Sequence, residues 1–396
     1  MIVIENPKKA RNKAEIFKEL YFANMISCAD LSEKIDKSLP HTTMLLNELI
    51  EKGFVVETGY APSTGGRRPQ MYSLKPDIMY VVSAAMDQFV TRIAIMDMRN
   101  NQVTEIEKVD LKLNENPNAL SELADRLEQH IQNSGINKQE IAGIGIGMPG
   151  FVDASKGINY SFLETDNSIS EYISDKTGLP VYIDNDSRLI ALAEQRFGLA
   201  RNRQNAMIIN IGWGIGLGLV MEGKLFKGNN GFAGEFSHIP LFTNNKLCSC
   251  GKTGCLETES SLFIIVEKAR EGIANGRLSS IKTHKLDSEL VDEAFEAIRS
   301  AAVKGDKFSV ELFSEAGYNI GRGLAILIHL LNPETIVLSG RGSLAGKIWL
   351  APIQQALNEQ CIPILAKNTT IEMSELGYDA ELIGSAALVM ENLEKV

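Results

Sequence analysis

The segment Ile141-Ala-Gly-Ile-Gly-Ile-Gly-Met-Pro-Gly150 alternates apolar residues with glycine and then ends in a Pro-Gly turn. A short apolar run bounded by a turn signal predicts a buried strand. The sequence on either side of it predicts further strands and a helix. Working outward, we expect strands over residues 80–86, 90–96 and 103–111, a helix over 119–134, and a strand over 179–183 that ends at Asp184-Asn185-Asp186.

The same pattern begins again after residue 200. Strands are predicted over residues 206–210 and 214–221, and Lys224-Leu-Phe supplies a third. A repeated unit of strand meander and helix predicts two similar α/β lobes that close on a cleft. The length of 396 residues suits these two lobes and one smaller domain, since domains usually run to about 100 to 200 residues.

The first 75 residues follow a different pattern, with three short helices and then two strands. Helices are predicted over residues 14–22 and 28–35, and a third has Ser38 as its N-cap and stops at Gly53. The two strands, over residues 54–58 and 70–74, flank the loop Ser63-Thr-Gly-Gly-Arg-Arg-Pro69. This is the element order of a winged helix-turn-helix, an α+β domain.

In a winged helix-turn-helix, the third helix enters the major groove of DNA by its N-terminal end, and the wing lies on phosphates or in the minor groove. We therefore predict a domain over residues 1–76 that binds double-stranded operator DNA. Its contacts would come from Ser38, His41, Thr42, Thr43, Asn47, Arg67 and Arg68. The alternative is a protein-contact module in which the two wing arginines are solvated charges.

The net charge of −10 is unusual for a nucleic-acid-binding protein, but the charge is unevenly distributed. Residues 1–75 hold 11 Lys and Arg against 9 Asp and Glu, whereas the other residues hold 29 against 41. A mildly basic head on an acidic body is compatible with DNA binding confined to the head. The sequence has neither a secretory signal nor an apolar span long enough for a bilayer, so it predicts a cytoplasmic protein without membrane contact.

Three of the five cysteines fall within eight residues, and such clustering in a cytosolic chain indicates a metal site rather than disulfides. One imidazole and three thiolates form the ligand set of a closed, tetrahedral structural zinc. The predicted ligands of one Zn²⁺ per subunit are His238, Cys248, Cys250 and Cys255. The alternative is a set of buried cysteines beside a core histidine. Cys28 and Cys361 are isolated and are expected to be buried thiols.

Several motifs occur in one order along the body of the chain. They are the Pro149-Gly150 turn, Asn185-Asp186, Gly212-Trp-Gly214-Ile-Gly216-Leu-Gly218, Gly228-Asn-Asn-Gly231-Phe-Ala-Gly234-Glu235-Phe-Ser-His238, Cys248-Ser-Cys250-Gly-Lys-Thr-Gly254-Cys255-Leu-Glu257 and Asn332-Pro-Glu-Thr-Ile-Val-Leu-Ser-Gly340. This set resembles the ROK family of repressors, uncharacterised reading frames and sugar kinases, and the winged head resembles its repressor branch. The resemblance implies an actin-like (ribonuclease H-like) sugar-kinase fold with a first lobe over 77–190. It implies a second lobe over 191–396 that carries the zinc site, with a C-terminal helix that can return to the first lobe.

Both phosphate loops of the family's kinases are altered in this chain. Kinases of the family carry an Asp-x-Gly-Gly-Thr hairpin whose amides and hydroxyl hold ATP phosphates. Here Ala85 takes the place of its Asp, Asp87 and Gln88 replace the two glycines, and Phe89 replaces the threonine. In the second loop Trp213 replaces the family's threonine, so an indole would fill space that a phosphate needs. We therefore expect a degenerate kinase fold without enzyme activity.

The resemblance also implies a sugar pocket. Carried over to this chain, its residues are Asn185, Asp186, Glu235, His238 and Glu257. Carboxylates suit this task because they accept paired hydrogen bonds from sugar hydroxyls. Asp186 matches the catalytic base of the family's kinases, but without ATP it is expected to bind sugar only. The alternative is that Asp184, Asp186 and Glu257 are helix caps or surface carboxylates.

These observations predict a sugar-responsive transcription regulator, most simply a repressor of carbohydrate genes. A sugar or sugar phosphate would be its effector, and a homodimer or tetramer would match a palindromic operator. Two alternatives remain open: an ATP-dependent sugar kinase of the same family, and a regulator controlled by a protein partner.

Overall fold

The structure, a computed structural model, describes residues 7–62, 68–163, 168–286 and 291–393. The chain forms two compact units. Unit 1 is drawn from Met1–Leu189 together with Leu382–Val396, and unit 2 is Ile190–Glu381. Within the described residues, every helix is too short or too polar to cross a membrane.

The N-terminal part of unit 1, called the head below, has the predicted winged helix-turn-helix order. Its elements are α1 (Pro7–Ala23), β1 (Ile26–Ser27), α2 (Cys28–Lys34), α3 (Leu39–Glu51), β2 (Val55–Tyr60) and β3 (Gln70–Leu74). The strands form one sheet in the order β1-β3-β2. The predicted apolar faces are buried, among them Ile16 and Leu20 of α1 and Leu45 and Leu49 of α3. Strand β1 was not predicted, because two residues are too few to show a period.

The rest of unit 1 is built on a five-stranded sheet in the order β10-β7-β4-β5-β6. Its elements are β4 (Tyr80–Met86), β5 (Val90–Met96), β6 (Glu107–Asp110), α4 (Ala119–Asn133), β7 (Ile141–Met148), β8 (Val152–Asp153), β9 (Ile158–Asn159), α5 (Ile169–Thr177), β10 (Val181–Asn185) and α6 (Asp186–Phe197), which continues into unit 2. The interior strand β7 is buried along its whole length and pairs in parallel with β4 and β10. Strand β6 is shorter than predicted, since the Thr104 hydroxyl accepts the Ile95 amide at 2.9 Å in place of a backbone carbonyl.

Unit 2 repeats this topology with a second five-stranded sheet. Its elements are β11 (Ala206–Ile211), β12 (Ile215–Met221), β13 (Lys224–Leu225), α7 (Glu257–Ser260), α8 (Leu262–Ala274), α9 (Thr283–Leu286), α10 (Val291–Val303), α11 (Lys307–Leu331), β14 (Thr335–Ser339), α12 (Leu350–Gln360), α13 (Pro363–Ala366), β15 (Thr370–Met373) and α14 (Ala380–Glu391), which ends in unit 1. The strand order is β13-β12-β11-β14-β15. Each sheet therefore has an antiparallel meander followed by two parallel strands, and the predicted duplication is confirmed.

The glycines of β7 allow α14 to approach the strand closely. A Cβ atom on Gly145 would fall on the carbonyl oxygen of Ser385, and one on Gly143 would lie 2.8 Å from the carbonyl oxygen of Pro180. The Ser385 hydroxyl donates to the carbonyl oxygen of Ala84 at 2.9 Å, which ties the helix to the neighbouring strand. The alternation of glycine in this strand is therefore a packing requirement.

We predict that Gly145→Ala destabilises unit 1. The added methyl group has no space beneath Ser385, and overpacking of this kind costs about 1 to 3 kcal/mol. The free energy of unfolding, measured by denaturant titration, should fall by this amount. Gly212→Ala is the control, since a Cβ atom there would lie 3.6 Å from its nearest neighbour. Equal stability of the two variants would show that α14 does not pack on β7 as described.

Candidate functional site

The predicted metal ligands come together in unit 2. The ligand atoms of His238, Cys248, Cys250 and Cys255 all lie within 4.8 Å of one another. His238 Nδ1 is 3.5 Å from Cys248 Sγ, and the sulfurs of Cys250 and Cys255 are 3.7 Å apart. The sequence prediction that these four side chains form one cluster is confirmed.

Tight turns in the loop before α7 bring the cysteines together. Cys248 donates its amide to the carbonyl oxygen of Lys252 at 2.8 Å, and its own carbonyl accepts the Gly251 amide at 2.9 Å. Gly251 and Gly254 have φ values of +79° and +76°, which favour glycine. A Cβ atom on Gly254 would also collide with the carbonyl oxygen of Phe242. The glycines quoted with the cysteine motif thus serve to fold the ligand loop.

The donor set fits a tetrahedral cation. A metal–sulfur bond of about 2.3 Å places two tetrahedral thiolates about 3.8 Å apart, close to the separation of the Cys250 and Cys255 sulfurs. Burial and the neighbouring Cys250 and Cys248 thiols raise the pKa of Cys255 to about 12. Burial likewise raises the pKa of Cys248. Three thiolates this close need a cation to neutralise them, so the cluster can bind a metal ion.

Two of the predicted sugar-binding carboxylates adjoin the metal cluster. Glu257 lies at the start of α7, with Oε1 3.9 Å from Cys248 Sγ and Oε2 3.4 Å from the Ile215 amide. Gly214 leaves room for it, since a Cβ atom there would lie 2.7 Å from Glu257 Oε2. Glu235 Oε2 is 3.8 Å from His238 Nε2, the ring nitrogen that faces away from the thiols. The same imidazole thus lies between the cluster and an acidic side chain.

Asn185 and Asp186, the other two predicted sugar ligands, belong to unit 1 and lie where β10 meets α6. The Asn185 amide nitrogen donates to the carbonyl oxygen of Gly150 at 3.1 Å, and its Oδ1 accepts the Ser187 amide at the same distance. Asp186 Oδ1 also accepts the Ser187 amide, at 2.7 Å. Asp184 is buried and is bonded to Arg188 Nε at 2.6 Å, so its role is structural. Asn185 Oδ1 also accepts the Arg188 amide at 3.2 Å, so this side chain caps the start of α6, a role that the sequence did not predict for it.

The hairpin between β4 and β5 is closed by its own carboxylate. Asp87 Oδ1 accepts the backbone amides of Phe89 and Val90, each at 2.8 Å. The Asp87 amide donates to the Val90 carbonyl at 3.0 Å. Two amides of this turn therefore bind an internal anion. Asp87 therefore does more than remove a glycine from the turn, because its carboxylate also occupies two backbone amides.

Trp213 is buried in unit 2, in a stack that the sequence did not predict. Its ring makes an edge contact with Phe295, with centroids 6.1 Å apart, and the Arg341 guanidinium lies 5.0 Å from its centroid. The same guanidinium is 4.6 Å from the Tyr378 ring centroid and 2.6 Å from Asp292 Oδ1. Arg341 directly follows the motif that runs from Asn332 to Gly340. No sequence signal marked Asp292 or Tyr378, because both are distant along the chain.

The head places its predicted DNA ligands in different environments. Ser38, Thr43 and Asn47 are exposed on or next to α3, and Arg68 is exposed after the wing loop with its guanidinium 5.9 Å from the Tyr60 ring centroid. His41 is half-buried, with Nε2 3.2 Å from Asn12 Nδ2. Thr42 is fully buried and donates its hydroxyl to the Ser38 carbonyl, so it belongs to the core side of the helix. Arg67 lies outside the described residues.

The fold and site define a class of protein: a winged helix-turn-helix head joined to a body of the sugar-kinase type. The sequence model of the ROK family matches residues 88–392. The chain belongs to this family.

The relatives include both regulators and kinases. The chain is 29% identical to a xylose repressor of Caldicellulosiruptor bescii over 97% of its own length and 96% of the repressor. It is 34% identical to a glucokinase of Halalkalibacterium halodurans, over 68% of this chain and 82% of the kinase. A crystal structure of a ROK family transcriptional regulator, a homologue of the Escherichia coli MLC protein, is similar with a TM-score of 0.76 and 27% identity, over 98% of this chain and 97% of that one.

We predict that the purified chain binds about one metal ion, as expected for a closed site with four protein ligands. Cys250→Ser should abolish binding, because it removes one of three thiolates. Cys361→Ser is the matched control, since Cys361 is a cysteine outside the cluster, and it should keep the metal. Elemental analysis after dialysis measures both. Full metal content in Cys250→Ser would contradict the ligand assignment.

Proposed function

We propose that this chain is a sugar-responsive transcriptional repressor, in which the head binds operator DNA and the body binds a sugar effector. The observation that carries this proposal is the match to a xylose repressor along 97% of the chain, head included. We further propose that residues 1–76 act as the DNA-binding domain and that the chain works in the cytoplasm as a homodimer or tetramer. A two-fold assembly suits operators with two equivalent half-sites.

The metal of the cluster is proposed to be zinc, with one ion per subunit. One nitrogen and three sulfur ligands match the structural sites of this ion, in which all four positions are filled by protein. Zinc would neutralise the three thiolates and stabilise the loop before α7. The protein's own contribution is to keep His238 Nδ1 and Glu257 Oε1 at 3.5 Å and 3.9 Å from the Cys248 sulfur.

The effector site is proposed to include Glu235, His238 and Glu257 of unit 2 and Asn185 and Asp186 of unit 1. Glu257 supports this role best, because the donors that contact it within the described part of the chain are the Ile215 amide at 3.4 Å and the Cys248 thiol at 3.9 Å, both long contacts. A carboxylate with such weak partners can accept paired sugar hydroxyls. Asp186, whose Oδ1 accepts the amide and the hydroxyl of Ser187 at the start of α6, is proposed to accept a sugar hydroxyl as well.

Kinase activity is proposed to be lost. The Asp87 carboxylate would repel a phosphate, and it already binds the Phe89 and Val90 amides. In unit 2, the buried Trp213 ring takes the place of a hydroxyl-bearing loop residue. The 34% identity to a glucokinase favours the rival function, so this point needs its own test.

We predict that the chain releases no ADP from ATP with any sugar in a panel that begins with xylose and glucose. A coupled ADP assay measures this, with a ROK glucokinase as the positive control. Sugar-dependent turnover on the order of 1 s⁻¹, within the ordinary range for enzymes, would establish the rival kinase function.

We predict that Glu257→Gln weakens the response to the effector and leaves DNA binding unchanged. Removing the charge from a hydrogen bond to a ligand costs about 1.5 to 3 kcal/mol, so the effector concentration needed for half-release should rise by roughly tenfold to a hundredfold. A thermal-shift screen of sugars and sugar phosphates identifies the effector first, since ligand binding stabilises the folded state.

Glu259→Gln is the matched control, because Glu259 lies on the same short helix and is paired with Lys268 at 2.9 Å. It should keep the wild-type dose curve. Identical curves for both variants would remove Glu257 from the effector site. A screen without any ligand, combined with recovery of a bound protein partner, would favour the regulator controlled by a partner.

A further inference from the structure

We propose that α3 recognises thymine methyl groups through the side chains of Leu39, Met44 and Thr43, and that the operator half-site is rich in A·T pairs where this helix docks. The inference rests on the proposed function of the head as the DNA-binding domain.

Two large apolar side chains on α3 are exposed without a role in the core. Leu39 is 50% exposed and Met44 is 46% exposed, whereas Leu45, Leu46 and Leu49 of the same helix are buried. Together with Pro40, Thr43, Asn47, Glu48 and Glu51, they line one continuous surface along the helix. This surface includes the N-terminal half of the helix, the part of a recognition helix that contacts bases.

The hydroxyl of Thr43 is directed back into the head. It donates to the carbonyl oxygen of Leu39 at 2.8 Å, and Cys28 Sγ lies 3.3 Å from the Thr43 hydroxyl oxygen itself. The side chain is exposed, so its methyl group is the part left for an external partner. The recognition surface thus presents three apolar groups, the side chains of Leu39 and Met44 and the methyl group of Thr43. Recognition of a G·C pair would instead require hydrogen-bond donors and acceptors at these positions.

The polar groups of this surface also favour an A·T pair. In the major groove, an A·T pair presents the thymine methyl group beside the N6 and N7 atoms of adenine, which an asparagine amide binds in a bidentate manner. Asn47 is exposed one turn after Thr43. Glu48 is paired with Lys13 at 2.9 Å, and Glu51 at the end of the helix would be repelled by phosphates. The acidic end thus favours docking by the apolar N-terminal half.

Replacement of thymine by deoxyuracil tests the proposal, since it removes the methyl group and leaves base pairing unchanged. Binding sites are first selected from random-sequence duplexes with the full-length chain. Each thymine of a selected half-site is then replaced in turn, and the dissociation constant is measured at fixed salt. At the contacted positions we expect a loss of about threefold to fivefold per methyl group, as for one buried CH₂-sized group.

The variant Leu39→Ala with Met44→Ala should bind the thymine duplex more weakly and should lose most of its sensitivity to deoxyuracil. Both side chains are exposed, so the thermal unfolding temperature should not change, and this measurement excludes misfolding. Arg68→Ala is the control for a phosphate contact. It should weaken binding to both duplexes by the same factor.

Equal affinity of the wild-type chain for thymine and deoxyuracil at every position would overturn the proposal, as would undiminished deoxyuracil sensitivity in the double variant. Selection of half-sites rich in G·C pairs would also overturn it. A chain that selects no DNA sequence at all would instead overturn the proposed function of the head. The two failures are therefore distinguishable.

Discussion

The close packing of α14 on the glycines of β7 is the constraint on which much of unit 1 depends. Helix α14 starts at Ala380 in unit 2, and from Leu382 onward it belongs to unit 1. Gly145 lets its Ser385 approach the strand, and a Cβ atom on Gly384 would fall on the carbonyl oxygen of Leu189 in α6. Both helices that connect the units are thereby held in backbone contact, where a single methyl group matters.

The same helix also contacts the head. Glu391 at its end pairs with Lys18 of α1 at 2.6 Å, and the buried Tyr21 hydroxyl donates to Asn100 Oδ1. Burial raises the pKa of this tyrosine, so the phenol keeps its proton as a donor. The pair and the buried hydrogen bond fix the head to the sheet of unit 1. A ligand can affect the head only through states that differ in such contacts, because linkage requires a difference in binding free energy.

Local sequence patterns predicted the three helices and the hairpin of the head, most strands of the two large sheets and the metal cluster, because each depends on residues that are close in sequence. The cysteine motif contains its own turn glycines, and its histidine lies only ten residues before Cys248. Contacts between distant segments left no such signal, as the stack of Arg341 with Asp292 and Tyr378 illustrates. Thr42 was predicted to face DNA because it lies near the start of α3, but its side chain is buried, which the fold of the head decides.

The two altered loops follow one physical rule. A turn that exposes amides to phosphate leaves donors to be satisfied when the phosphate is absent, and buried unsatisfied donors are costly. Asp87 supplies the missing anion from within the hairpin, at 2.8 Å from two amides. In unit 2, the Arg341 cation is balanced by Asp292 and packed against the Trp213 and Tyr378 rings. In both places the partner comes from the chain itself: a carboxylate for the two amides and another for the guanidinium.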